Sequence, residues 1–324
     1  VYRGGSLIAT VNSPTLSYTD SSSLSANTQY TYAVRSENVS GVSPDQLSQG
    51  FWTLASAPSG LSASAQAAAA AGQQSVKLDW TASGGGVTGY KLYRNGILIK
   101  EVSGGATLTW TDTGLTGATS YSYTLSAVNP SGESAFSGSV SAVTQPDPPT
   151  GLGIVNLAAG SSTQSVKLTW TASGGGVNGY KVYRDSSYLA TVTGAAIATY
   201  TDTGRSGNTS YSYRVSATTA TGESQQCTAV AVLTVPNQVT GLAATNQSAA
   251  AVGQQSVRLT WSAASGSGSI AGYKVFRDGG YVATVSSGTA YTDTGRTGNT
   301  SYTYTVSAVN AGGESLASAS VSRL

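Results

Sequence analysis

The sequence predicts an all-β protein made of tandem two-sheet β-sandwich repeats. Three observations support this class. Motifs recur with a period of about ninety residues, apolar and polar residues alternate with the period of a strand, and Gly, Asn, Asp and Ser separate the alternating runs. Glycine is abundant, at 40 of 324 residues, which suits many short strands joined by turns. No helical periodicity persists along the chain.

Four motifs recur in the same order and define the repeat. The copies of Ser-Val-Lys/Arg-Leu-Asp/Thr-Trp lie at 75–80, 165–170 and 256–261. The copies of Gly-Tyr-Lys-Leu/Val-Tyr/Phe-Arg lie at 89–94, 179–184 and 272–277. The copies of Trp/Tyr-Thr-Asp-Thr-Gly lie at 110–114, 200–204 and 291–295. The copies of Thr-Ser-Tyr-Ser/Thr-Tyr lie at 119–123, 209–213 and 300–304. Corresponding residues are therefore 90 to 93 positions apart.

A fourth copy of the last motif, at 28–32, reveals an earlier and incomplete repeat. Tyr2-Arg3 aligns with Tyr93-Arg94, so this repeat begins midway along its third strand. Proline-containing segments separate the units, and proline stiffens such joints. The predicted modules, called repeats 1 to 4 below, are 1–56 (later strands only), 57–145, 146–235 and 236–324. Short linkers of this kind predict an elongated, semi-rigid rod.

Each repeat is predicted to bury one face of its strands. Val76, Leu78 and Trp80 alternate with polar residues, which places their side chains on one face. A single sheet could not bury Trp80, Tyr90 and Tyr121 together, so two facing sheets are required. The tryptophans at this position are the predicted structural core: Trp80, Trp170 and Trp261.

These motifs resemble those of fibronectin type III modules of the bacterial kind. The resemblance covers essentially the whole chain and implies an immunoglobulin-like sandwich. It also implies a tyrosine corner, in which a hydroxyl bonds to backbone a few residues upstream. The tyrosines at this position are Tyr30, Tyr121, Tyr211 and Tyr302. One departure is visible, because Leu115 is replaced by Arg205 and Arg296 in the next repeats. A guanidinium stem is expected to cover the rim there.

The composition argues against an enzyme. The chain has no histidine, which removes His-based triads and most zinc sites, and its single cysteine, Cys227, has no imidazole to activate it. The net charge of +2 gives no footprint for nucleic acid, and no apolar stretch is long enough for membrane insertion. We therefore predict no catalytic residue, cofactor or metal. Cys227 is interpreted as a small packing residue, with an interchain crosslink or a reactive thiol as alternatives.

Recurring polar residues have structural interpretations. Asp112, Asp202 and Asp293 are predicted to cap their own turns, because an active site is seldom copied along a repeat array. Glutamates Glu133, Glu223 and Glu314 are predicted to be solvated loop charges. The glycine-rich segments at 83–86 and 173–176 lack a following Lys-Ser/Thr, so they are predicted to be flexible loops and not phosphate sites.

The aromatic residues out of phase with the core are the most distinctive predicted surface feature. They are Tyr2, Tyr93, Tyr183 and Phe276. Ordinary cross-strand packing on the outer sheet face is one interpretation. The other is contact with a sugar polymer, a host surface or a neighbouring chain.

The sequence leaves several functions open. The first hypothesis is a non-catalytic stalk, spacer or fibre segment of a bacterial surface protein or phage fibre, with support of adhesion as an additional role. The second is an accessory linker region of a secreted polysaccharide-degrading enzyme, and the third is direct carbohydrate or host-surface binding. All three place the chain outside the cell, on the cell surface or on a virion. The expected partners are neighbouring modules of a longer chain, like chains in a fibre or a surface glycan. Repeat 1 is completed either by preceding sequence or by a strand from another chain.

Overall fold

The computed structural model describes residues 1–68, 70, 72–157, 162–220, 222–248 and 254–324. Within these residues every regular element is a β-strand. The described residues contain no helix long and apolar enough to cross a membrane. The chain divides into two compact units, Val1–Gln145 and Pro146–Leu324. The all-β fold predicted from the sequence is confirmed.

The first unit contains repeats 1 and 2. Repeat 1 has eight short strands: β1 (Tyr2–Arg3), β2 (Ser6–Leu7), β3 (Gln29–Tyr30), β4 (Tyr32–Val34), β5 (Glu37–Asn38), β6 (Gly41–Val42), β7 (Gln46–Leu47) and β8 (Phe51–Trp52). Repeat 2 has longer strands: β9 (Ser59–Gln66), β10 (Gln74–Thr81), β11 (Gly89–Arg94), β12 (Ile97–Ser103), β13 (Thr109–Leu115), β14 (Ser120–Asn129), β15 (Gly132–Glu133) and β16 (Val140–Val143).

The second unit contains repeats 3 and 4. The strands of repeat 3 are β17 (Thr150–Leu157), β18 (Gln164–Thr171), β19 (Gly179–Arg184), β20 (Ser187–Thr193), β21 (Thr199–Arg205), β22 (Ser210–Thr218) and β23 (Val230–Leu233). The strands of repeat 4 are β24 (Ala243–Ser248), β25 (Gln254–Thr260), β26 (Gly272–Arg277), β27 (Gly280–Val285), β28 (Ala290–Thr297), β29 (Tyr302–Asn310), β30 (Gly313–Glu314) and β31 (Val321–Arg323).

Repeats 2, 3 and 4 share one topology. A three-stranded sheet faces a larger sheet, in the orders β13-β10-β9 and β12-β11-β14-β15, with β16 also paired to β14 in repeat 2. Repeats 3 and 4 have the orders β17-β18-β21 with β20-β19-β22-β23, and β24-β25-β28 with β27-β26-β29-β30. The strand pairs of repeat 2 are antiparallel, for example Leu78 opposite Trp110 and Tyr90 opposite Ala127. This is the two-sheet arrangement that the alternating sequence requires.

Each of these three repeats has its own apolar core. In repeat 2 Val76, Leu78 and Trp80 from one sheet pack against Tyr90 and Leu92 from the other. The rings of Trp80 and Tyr90 meet edge to face, with centroids 5.4 Å apart. The equivalent pairs, Trp170 with Tyr180 and Trp261 with Tyr273, have centroids 5.3 Å and 5.4 Å apart. All three tryptophans lie in the core.

Several apolar side chains of repeat 1 are exposed. Leu16 is 99% exposed and Phe51 is 61% exposed. Tyr2, Leu16 and Phe51 line an open groove of about 1040 Å³.

Candidate functional site

The tyrosine corner occurs at the predicted residue in every repeat. The hydroxyl oxygen of Tyr121 accepts a hydrogen bond of 3.2 Å from the backbone N–H of Thr116, five residues upstream. Tyr30, Tyr211 and Tyr302 accept the same bond at 3.0–3.2 Å. Arg94 lies over the Tyr121 ring, 5.5 Å from its centroid. The hydrogen bond from Thr116 to Tyr121 fixes the segment that leads into β14, the long strand of the larger sheet.

A buried carboxylate joins the two sheets beside each corner. Asp202 accepts hydrogen bonds of 2.7 Å from Arg184 and 2.8 Å from the Tyr213 hydroxyl, and its own side chain is only 4% exposed. Burial and the Asp202 bond raise the pKa of Tyr213. The same trio recurs as Arg3–Asp20–Tyr32, Arg94–Asp112–Tyr123 and Arg277–Asp293–Tyr304.

This cluster corrects the predicted role of the recurring aspartates. They were expected to cap their own turns, but their carboxylates bind an arginine and a tyrosine from the opposite sheet. A carboxylate removed from water needs such partners, because burial of an unpaired charge is costly. Arg205 also contacts Asp202, at 3.2 Å, and stacks over Tyr211. The arginine that replaces Leu115 therefore adds to this cluster.

A second cluster lies on the outer face of the larger sheet. Glu133 accepts hydrogen bonds from Lys91 at 3.0 Å and from Tyr93 and Ser126 at 2.6 Å each. These bonds, chiefly the one from Ser126, lower the pKa of Glu133. Glu223 and Glu314 make the same lysine and serine contacts. The recurring glutamates were predicted to be solvated loop charges, and the structure corrects this.

The four aromatic residues predicted as surface contacts are half-buried. Tyr93 packs edge to face on Phe136, with centroids 4.9 Å apart, and Tyr183 packs on Tyr188. The Tyr93 hydroxyl is already bonded to Glu133, and that of Tyr183 donates to Glu223 at 2.5 Å. Tyr2 lies beneath the Arg35 guanidinium and Phe276 packs on Tyr281. The more exposed rings are those of Phe136, Tyr188 and Tyr281, which sequence reasoning did not select.

The joint inside the first unit is held by two buried asparagines. Nδ2 of Asn129, in repeat 2, donates 2.9 Å to Oδ1 of Asn27 and 2.7 Å to the carbonyl of Thr53, both in repeat 1. Asn27 donates in turn to the carbonyl of Gly84. Because each amide group finds a partner across the joint, the pair satisfies polar atoms that the contact between repeats removes from water.

The joint inside the second unit repeats this pair. Asn310 donates 2.9 Å to Asn208 and 2.8 Å to the carbonyl of Thr234, while Asn208 donates to the carbonyl of Gly268. Asn27 and Asn208 both have a φ of 51°. Asparagine tolerates this left-handed region better than most residues.

Glycine-rich loops receive the asparagines at both joints. A Cβ on Gly268 would lie 2.7 Å from Oδ1 of Asn208, and one on Gly86 would lie 3.0 Å from the Trp52 ring. The segment at 83–86 was predicted to be a flexible loop. Instead, the absence of side chains lets the preceding repeat approach its backbone, and Gly84 supplies a carbonyl to Asn27.

Cys227 lies buried in the core of repeat 3. Its Sγ accepts a hydrogen bond of 3.2 Å from the N–H of Val215. Ser137 and Ser318 do the same for Leu125 and Val306. These serines are therefore the structural equivalents of Cys227. Burial raises the pKa of the Cys227 thiol, which disfavours the reactive thiolate.

The sequence model of the fibronectin type III domain matches residues 242–323. Repeat 4 is therefore a fibronectin type III domain. The match covers repeat 4, and the motifs and sheet orders of that repeat recur in repeats 2 and 3.

Curated relatives of this fibronectin type III chain include three enzymes. Exoglucanase B of Cellulomonas fimi is 38% identical over 269 residues, which cover 76% of this chain and 24% of the relative. Exoglucanase A of the same organism is 37% identical over 308 residues, which cover 82% of this chain and 32% of the relative. Chitinase A1 of Niallia circulans is 40% identical over 160 residues, which cover 46% of this chain and 22% of the relative. The chain thus spans about a quarter to a third of the length of these relatives.

Among the described residues, no group of three or more Cys, Asp or Glu side chains is arranged to hold a metal ion. The recurring carboxylates of these fibronectin type III repeats are instead bonded to lysine, arginine, tyrosine and serine of their own repeat. Their arrangement stabilises the sandwich, and the asparagine pairs connect the two repeats within each unit.

Proposed function

We propose that this chain is a non-catalytic, extracellular accessory region of a polysaccharide-degrading enzyme, and that it spaces the other domains of that enzyme. The observation that carries the proposal is the alignment of 76% and 82% of the chain with two exoglucanases, of which it spans only 24% and 32%. An aligned segment that is a minority of each relative suits an accessory part.

The internal chemistry supports a spacing role. The charged clusters around Asp202 and Glu133 are saturated by partners within their own repeat, so they offer no free acid or base. The asparagine pairs hold successive repeats together within each unit. A spacer requires both stable modules and defined joints.

The alternative of a stalk or fibre segment of a surface protein shares this spacing role and differs in what the longer protein carries. The asparagine joints support both. Direct glycan binding through Tyr93 and Tyr183 has less support, because their hydroxyls already donate to Glu133 and Glu223.

The gene that encodes the longer protein distinguishes the first two functions. A glycoside hydrolase domain beside this segment is the expected result, and an anchor or fibre tip without a hydrolase would reject the proposal. The functional test compares that enzyme with a version in which residues 1–324 are deleted. Activity on the insoluble polysaccharide should fall, while activity on a short soluble oligosaccharide should stay unchanged. Equal activity of both versions on the insoluble substrate would contradict the spacing role.

A further inference from the structure

Repeat 3 binds repeat 4 through residues at its downstream end. Repeat 4 has the equivalent residues at its own downstream end. Asn299 stands in Gly-Asn-Thr-Ser, the same sequence that surrounds Asn208. Its φ is 57°, against 51° for Asn208. Asn208 is buried because it bonds with Asn310 and Gly268 of the next repeat, whereas Asn299 is exposed. Asn299 therefore has the sequence context and backbone conformation with which Asn208 binds the next repeat.

A second asparagine repeats independently at the same end. Nδ2 of Asn156 donates 2.8 Å to the carbonyl of Leu233, in its own repeat, and 3.0 Å to the carbonyl of Gly312 in the next repeat. Asn246 is its equivalent, because both pair with the valine that begins the Val-x-Leu-x-Trp run. Asn246 donates 2.8 Å to the carbonyl of Leu324. This bond uses one of its two Nδ2 hydrogens, so the exposed amide can donate the other.

We propose that the end of repeat 4 marked by Asn246 and Asn299 is a docking surface for a further module of the same type, placed directly after Leu324. The surface reproduces an interface that exists between repeats 3 and 4. The chemistry defines the occupant: an asparagine at the position of Asn310, a carbonyl in a glycine-rich loop at that of Gly268, and a small residue at that of Gly312.

The requirement for a small residue follows from close approach. A Cβ on Gly312 would collide with the carbonyl of Leu233, so a larger side chain there would separate the two repeats. The proposal concerns only the joint and does not depend on the function of the longer protein.

The test extends the whole chain by a second copy of residues 234–324 after Leu324. This fusion keeps the register, because Val232 and Arg323 pair with the corner tyrosines Tyr211 and Tyr302, so that Leu324 corresponds to Leu233. Residual dipolar couplings measured by NMR would report whether neighbouring repeats share one alignment tensor. We expect repeat 4 and the added copy to share a tensor, as repeats 3 and 4 do.

Variants separate the asparagine joint from mere tethering. Asn299→Gly keeps the left-handed backbone and removes the amide, and Asn246→Ala removes the second donor. Together they should abolish the shared tensor of repeat 4 and the added copy. The pair Asn208→Gly and Asn156→Ala should have the same effect between repeats 3 and 4, while Ala118→Gly, which changes the equivalent position without removing an amide, should alter neither.

Three results would overturn the proposal. They are independent tensors for repeat 4 and the added copy, a shared tensor that survives loss of Asn246 and Asn299, and independent tensors for repeats 3 and 4 in the unaltered chain.

Discussion

Nδ2 of Asn129 donates a hydrogen bond of 2.9 Å to Oδ1 of Asn27, which lies 102 residues earlier in the chain. Asn310 makes the same bond to Asn208, again at 2.9 Å and across 102 residues. Both members of each pair are buried. Because a buried amide that loses its partner keeps the full cost of desolvation, such a pair favours one arrangement of two neighbouring repeats over many loosely packed ones.

Substitution of Asn208 by glycine should loosen the joint in the second unit. Glycine retains the positive φ but leaves an Nδ2 hydrogen of Asn310 and the carbonyl of Gly268 without their partner. We expect a loss of about 1–3 kcal/mol in the free energy of opening the joint, measured by hydrogen exchange of backbone amides around Asn310. Asn299→Gly, at the exposed equivalent, should change stability by less than about 0.5 kcal/mol. Equal effects of the two substitutions would contradict a role for the pair.

Removal of the Asp202 charge should destabilise repeat 3. Asp202→Asn leaves the Arg184 and Arg205 guanidiniums, 24% and 21% exposed, without their carboxylate. We expect a loss of about 2–4 kcal/mol, somewhat below a fully buried pair because both arginines reach solvent. Urea unfolding of the whole chain, followed by near-ultraviolet circular dichroism, would measure it. Asp185→Asn is the control and should be neutral, since Asn95 occupies the equivalent position in repeat 2.

Stability should decline in acid as the outer-face glutamates become protonated. Hydrogen bonds from Ser126, Tyr93 and Lys91 lower the pKa of Glu133 in the folded state. Because the pKa of Glu133 is lower in the folded state than in the unfolded state, where it is about 4.3, the ionised carboxylate stabilises the fold at pH values above 4.3. This stabilisation is lost as the pH falls through the pKa of the folded state. The free energy of unfolding of repeat 2 should therefore decrease as the pH drops below about 4.3. Glu133→Gln should reduce this pH dependence, and an identical slope in the variant would refute the assignment.

Replacement of Cys227 by serine should be nearly neutral. Ser137 and Ser318 already accept the equivalent backbone hydrogen bonds, at 3.1 Å and 3.0 Å. Cys227→Val should instead cost about 1–3 kcal/mol, because the N–H of Val215 loses its acceptor. Thermal denaturation of both variants would measure the difference. The native thiol should also react slowly with a thiol reagent in the folded chain, and rapid labelling would contradict its burial.

The sequence was sufficient for features that depend on local patterns. Alternation over 76–80 predicted the buried face of β10, and the repeated Thr-x-Tyr-x-Tyr motif identified the corner at Tyr121. The partners of Asp112 were missed, because Arg94 lies 18 residues earlier and reaches Asp112 only after the two sheets pack. The joint asparagines were missed because 102 residues separate them. The available signal was recurrence within the chain, because arginine, aspartate and tyrosine occur together in all four repeats.

The burial of Asn208 has a practical consequence for production of the protein. Asn208-Thr209-Ser210 is an acceptor sequence for N-linked glycans, as is Asn299-Thr300-Ser301. A glycan added to Asn208 in a eukaryotic secretory pathway would occupy the space where Gly268 approaches, whereas one on exposed Asn299 would leave this chain intact. Material secreted from yeast or animal cells would therefore differ at this joint from material made in bacteria.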